Sequence, residues 1–160
     1  MSNVQHRGES ELERADRNWN ELLGELRVTQ TGVAILFSLL LTVPFSARFE
    51  DMDSFGRGVY LGALLLSAAS VVVLIAPVAY HRLLFTRRQK PQIVLVANRF
   101  ALVGLGLLCL TLTSVLLLVA DLLLARGAAL ALGAVFGVVT AVLWFVPALL
   151  QRARASSGGR

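Results

Sequence analysis

An ionised side chain in the middle of a bilayer is costly, so a chain that moves ions or protons keeps one there for that purpose. Four long apolar stretches run through this sequence, and their centres contain no Asp, Glu, Lys, Arg or His. The nearest ionisable group is Asp121, at the far end of the third stretch. It reads either as an ion-entry carboxylate or as an interfacial group that pairs with Arg126 across a turn. Neutral polar residues do occur. Gln30, Ser38 and Thr42 lie in the first stretch, Ser67 and Ser70 in the second, and Thr111, Thr113 and Ser114 in the third. Gln30, Ser38, Thr42 and Asp121 form the candidate polar path. The competing reading is packing, because small hydroxyls bond back to their own helix or across to a neighbour.

Outside the stretches the chemistry is equally sparse. Glu50-Asp51-Met52-Asp53 is a candidate cation cluster, but Asp53 or Ser54 also suits the N-cap of the helix that follows. A single cysteine, Cys109, excludes an intramolecular disulfide and a C-x-x-C pair. No H-E-x-x-H, G-x-S-x-G or Walker loop is present. His81, Arg82 and Asn98 supply no nucleophile, base and orienting group together. The chain is therefore read as non-enzymatic, with no catalytic residue, no metal ligand and no cofactor. Arg82, Arg87, Arg88 and Lys90 sit beside an apolar stretch, where they suit anionic lipid headgroups. The net charge of +5 is read in that way, and nucleic acid is not an expected partner. Gly58 with Gly62, and Gly133 with Gly137, have the four-residue spacing that lets two membrane helices approach closely.

The elements that carry these residues follow from composition. Of 160 residues, 56% are apolar and 16% charged, against roughly a quarter charged in soluble domains. The apolar residues fall in blocks long enough to cross about 30 Å of hydrocarbon. The expected fold is all-α: an integral membrane four-helix bundle of two helical hairpins, preceded by a cytoplasmic amphipathic helix. Residues 1–8 are expected to be disordered and 9–27 to form the amphipathic helix. The spans cover about 28–47, 58–80, 100–124 and 127–150, and 151–160 form a polar tail. No cleavable signal peptide is expected, because a polar, charge-mixed segment comes first. Leu12, Ala15, Trp19, Leu22, Leu23 and Leu26 recur at helical spacing before the first span. This stripe is the expected contact for a protein partner or for self-association. Since nothing strong separates it from the first span, one continuous helix is also open.

Orientation comes from the loops. Of the 15 Lys and Arg residues, only Arg48, Arg57 and Arg126 fall on the side opposite the termini. Cytoplasmic loops carry the excess, so both termini are expected in the cytoplasm of a plasma-membrane protein. A weak internal repeat accompanies this. Pro77 and Pro147 lie 70 apart, as do Arg82 and Arg152, while Arg27 and Arg99, and Gly32 and Gly104, lie 72 apart. Two hairpins of the same orientation would be related by an axis along the membrane normal.

Three segments carry a resemblance. Glu21-Leu22-Leu23-Gly24-Glu25-Leu26-Arg27-Val28-Thr29-Gln30-Thr31-Gly32-Val33, Pro44-Phe45-Ser46-Ala47-Arg48-Phe49 and Ala76-Pro77-Val78-Ala79-Tyr80-His81-Arg82 are joined by Asn98-Arg99. They resemble signatures of an actinobacterial family of short four-span membrane proteins of unknown function, over about residues 10 to 152. Some of its members carry a sodium/proton antiporter label, so the resemblance implies a small ion or solute transporter, or a transporter subunit, as the alternative function. Antiport normally needs a membrane-embedded carboxylate. Small multidrug exporters of similar size depend on a Glu in the first span, and residues 28–47 contain none. The leading expectation is therefore a structural or interaction protein of the cytoplasmic membrane.

Overall fold

A computed structural model describes residues 11–84 and 90–157, and these are helical apart from short turns. The segment expected to be disordered, 1–8, lies outside the described residues. Helix α1 runs unbroken over Glu11–Thr42, so the amphipathic segment and the first span are one element. No proline interrupts it until Pro44, which lacks an N–H and whose ring disfavours α conformation in the residue before it. A 3₁₀ turn, Val43–Phe45, follows, and then the one-turn helix α2, Ala47–Glu50. Helix α3 spans Ser54–Leu84, α4 spans Lys90–Leu123 and α5 spans Arg126–Ser157.

The four long helices have apolar windows at Leu23–Phe45, Ser54–Ala79, Val96–Leu123 and Arg126–Pro147. The shortest is 22 residues, about 33 Å at 1.5 Å per residue, which is enough to cross a hydrocarbon core. Only 28% of the most enclosed window is buried within the protein. Leu65, Val72, Val135, Val138 and Leu143 are all more than half exposed. Such a surface is stable only against apolar surroundings, and the chain is a multi-pass membrane protein with a four-helix fold.

Successive spans run antiparallel. The start of α1, the end of α3, the start of α4 and the end of α5 therefore lie at one end of the bundle, and the α1–α3 and α4–α5 connections at the other, the distal end. Helix α3 packs on α1 and α4, and α1 also meets α4. The backbone of α5 comes close to α4 alone. Towards the terminal end the core is Leu26, Val33, Leu74 and Ala101. Towards the distal end it is Leu40, Met52, Tyr60, Ala63 and Leu118.

Close approach between α3 and α4 depends on one glycine. Leu74 is fully buried, and a Cβ placed on Gly104 would stand 2.5 Å from its Cδ2. Ser70, also fully buried, donates to the Gly104 carbonyl at 3.0 Å. Gly133 and Gly137 of α5 face Leu117 and Thr113 of α4, with virtual Cβ contacts of 3.3 and 3.0 Å. Gly58 and Gly62 differ, because nothing lies within 4 Å of a Cβ at either position. Within this chain they meet no neighbouring helix.

Two substitutions separate these cases. Gly104→Leu forces side-chain volume onto an enclosed Leu74 and is expected to cost about 1–3 kcal/mol. Gly62→Leu points into open space and is expected to change stability by less than about 0.5 kcal/mol. Loss of helical circular dichroism on heating in detergent micelles measures both, and equal effects would contradict this packing.

Candidate functional site

Among the described residues, the ion pairs that join different helices gather at the distal end, around Arg126 at the start of α5. Asp53 precedes α3 and caps it: its Oδ1 accepts the Gly56 N–H at 2.8 Å, as its position before the second span suggests. Its Oδ2 accepts from Arg126 Nη2 at 2.5 Å. Across the α4–α5 turn, Arg126 Nε and Nη2 donate to the two oxygens of Asp121 at 3.2 and 3.3 Å, which is the interfacial pairing open to Asp121 from the sequence. The guanidinium also lies over the Phe55 ring, 4.4 Å from its centroid. One side chain thus joins the start of α3, the end of α4 and the start of α5.

A second group flanks it. Arg57 donates from Nη2 to the Glu50 carbonyl at 3.1 Å and stands 5.8 Å from the Phe49 centroid. Phe49 in turn meets Tyr60 edge-on, with centroids 5.4 Å apart. Met52 is buried beneath Gly56, where a Cβ would come within 2.6 Å of its Cγ. These contacts fold the α1–α3 connection against the distal core.

The chemistry available here is limited. Both oxygens of Asp53 and both of Asp121 are engaged by donors. Among the described residues no group of three His, Cys, Asp or Glu side chains could hold a metal ion. The carboxyl of Asp53 is held below its ordinary 3.8, first by the Gly56 N–H and then by the Arg126 guanidinium. It stays ionised and bonded, which suits a structural anion better than a proton carrier.

The candidate polar path is distributed rather than gathered. Gln30 Nε2 donates to the Leu74 carbonyl at 2.8 Å, between α1 and α3. Ser38 donates to the Ala34 carbonyl at 2.8 Å and Thr42 to that of Leu39 at 2.7 Å, both on an exposed side of α1. Thr111, Thr113 and Ser114 bond back to Leu107, Cys109 and Leu110. Among the described residues, no buried side-chain nitrogen or oxygen is without a hydrogen bond. Arg87 and Arg88, two of the lipid-headgroup candidates, lie outside the described residues. For Arg82 and Lys90 the structure gives the backbone alone, at the ends of α3 and α4.

One residue, Tyr60, and one pairing, Asp53 with Arg126, escaped the reading of the sequence. Tyr60, 6% exposed, donates its hydroxyl to the Leu40 carbonyl at 3.1 Å. In an α-helix that carbonyl would receive the N–H of residue 44, which is Pro44. The missing donor is visible from spacing alone, whereas its replacement, 20 positions away, is not. The reach of Asp53 to Arg126, 73 positions apart, has no sequence signal at all.

Comparison with known proteins returns a family and nothing closer. A family model described as a family of unknown function (DUF6328) matches residues 8–148. No curated protein and no solved structure matches the chain.

Two measurements follow from the geometry. Gln30→Leu removes the hydrogen bond that joins α1 to the Leu74 carbonyl of α3 and is expected to lower stability by about 1 kcal/mol, read from thermal unfolding in micelles. For Asp53, a folded-state pKa below 3.8 means that its contribution is present above that value and disappears as pH falls through the lower folded one. Wild-type protein should therefore lose stability on acidification to about pH 3, and Asp53→Asn should lack that part of the loss. Identical acid profiles would remove Asp53 from the distal anchor.

Proposed function

We propose that this chain, which belongs to the family of unknown function DUF6328, is a non-enzymatic structural or interaction protein of the cytoplasmic membrane. In this reading both termini lie in the cytoplasm, the side that would carry all Lys and Arg except Arg48, Arg57 and Arg126. Arg82, Arg87, Arg88 and Lys90 then meet the anionic inner leaflet.

The observation that carries the reading is a seven-residue row along α1. Leu12, Trp19, Leu26, Val33 and Leu40 share one register on a continuous helix. Leu26, Val33 and Leu40 are buried, at 4%, 0% and 4% exposure. The same seam thus packs the bundle along its membrane half and continues, through Trp19 and Leu12, beyond the apolar window that opens at Leu23. A partner helix would find there a ready-made extension of the bundle's own packing surface. The hydroxyls of the spans favour the same reading, since those of Ser38, Thr42, Ser67, Ser70, Thr111, Thr113 and Ser114 are committed to backbone carbonyls.

A photo-crosslinking residue at position 19, in native membranes, tests this. Adducts with a second protein are expected, and adducts confined to lipid or to the chain itself would defeat the partner role. Flux assays in proteoliposomes probe the alternative. Cation movement above empty vesicles, abolished by Gln30→Leu or Asp121→Asn, would replace the structural reading with small-ion or solute transport.

A further inference from the structure

The spacing of 70 that relates Pro77 to Pro147 also relates the buried face of α3 to a face of α5. In α3, Ala63, Ser67, Ser70, Leu74 and Pro77 are all buried. Their counterparts in α5 are Gly133, Gly137, Thr140, Trp144 and Pro147. The first three are buried or half-buried, Gly133 and Gly137 against α4, whereas Trp144 is 39% exposed and Pro147 is exposed as well. This face of α5 is therefore covered along its distal half and uncovered at Trp144 and Pro147.

Where it is uncovered, a groove opens between α5 and α1. It has a volume of about 470 Å³ and is lined by Gly32 and Leu36 of α1, Leu105 and Leu108 of α4, and Trp144, among others. Gly32 is the counterpart of Gly104 by the spacing of 72, and Trp144 is the counterpart of Leu74 by the spacing of 70. In the first pairing the contact is made: Leu74 fills the space that Gly104 leaves. In the second it is not, because nothing lies within 4 Å of a Cβ on Gly32. Lipid offers no hydrophobic drive between helices, so association rests on a large side chain entering the gap left by a small one. Gly32 and Trp144 form such an unmade pair.

We propose that the terminal half of α5 is a lateral gate, open in this structure and closed when Trp144 seats against Gly32 of α1. Arg126, held by Asp53 and Asp121, is the pivot at the distal end. The Gly133–Leu117 and Gly137–Thr113 contacts are the hinge-side packing that both positions share. Closure joins α1 to α5 as α4 is already joined to α3, and removes the groove. This movement is independent of whether α1 recruits a partner.

Disulfide trapping in native membranes tests it, in a Cys109→Ser background. The control pair is Thr113→Cys with Gly137→Cys, whose Cβ positions stand 3.7 Å apart, within the range of about 3.5–4.5 Å that a disulfide requires. The test pair is Gly32→Cys with Trp144→Cys. Oxidation should link the test pair within one chain, as it does the control. A test pair that stays reduced while the control oxidises, or that links two chains, overturns the gate. A second reading uses fluorescence. The chain has two tryptophans, so Trp19→Phe leaves Trp144 as the reporter. Gly32→Leu, which occupies the seat without a clash, should increase quenching of Trp144 by brominated lipid. Unchanged quenching overturns the proposal equally.

Discussion

In hydrocarbon there is no water to take up a backbone carbonyl that has lost its donor, so each one must find a partner inside the protein. Pro44 sets this demand here, and the contact between α1 and α3 is arranged around the answer. Pro44 ends α1 and deprives the Leu40 carbonyl of its helical N–H, and the Tyr60 hydroxyl of α3 supplies the substitute. A second bond of the same kind joins the pair, where the Gln30 amide of α1 donates to the Leu74 carbonyl of α3. One bond crosses from α3 to α1 and the other from α1 to α3, at opposite ends of their contact. Together they fix the register of the pair, while Leu26, Val33 and Leu40 supply the packing between.

The same economy governs α4 and α5. Gly104 admits Leu74 and lends its carbonyl to Ser70, so one residue serves both packing and hydrogen bonding. The glycines of α5 that meet α4, Gly133 and Gly137, lie along its distal half. Its remaining tie is electrostatic, through Arg126 to Asp53 and Asp121 at the edge of the apolar region. The exposure of Trp144 and Pro147 distinguishes α5 from α3, its counterpart in spacing, where Leu74 and Pro77 are buried.

Much of this was legible before any coordinates. The apolar blocks gave four spans, the Asp53 cap followed from its place before an uncharged stretch, and Asp121 had Arg126 within reach across a short turn. The continuity of α1 was open because no breaker precedes Pro44. Gly58 and Gly62 have the spacing of a packing motif, yet face no neighbour in this chain, because spacing identifies a smooth helix face and not what lies opposite. Gln30 looked like part of a polar path, and its amide instead bonds the backbone of a neighbouring helix. A side chain's type states that it needs a partner without stating which one it finds.

What the sequence alone determined is the solvent. Apolar runs 22 to 28 residues long, charged only near their ends, belong in lipid, and lipid permits little besides helices. What only the tertiary structure decided is the pairing: Tyr60 with Leu40, Gln30 with Leu74, Leu74 with Gly104 and Arg126 with Asp53. Those partners lie between 20 and 73 positions apart. Apolar helices pack by shape, and shape complementarity between distant faces leaves no periodic trace along a single chain.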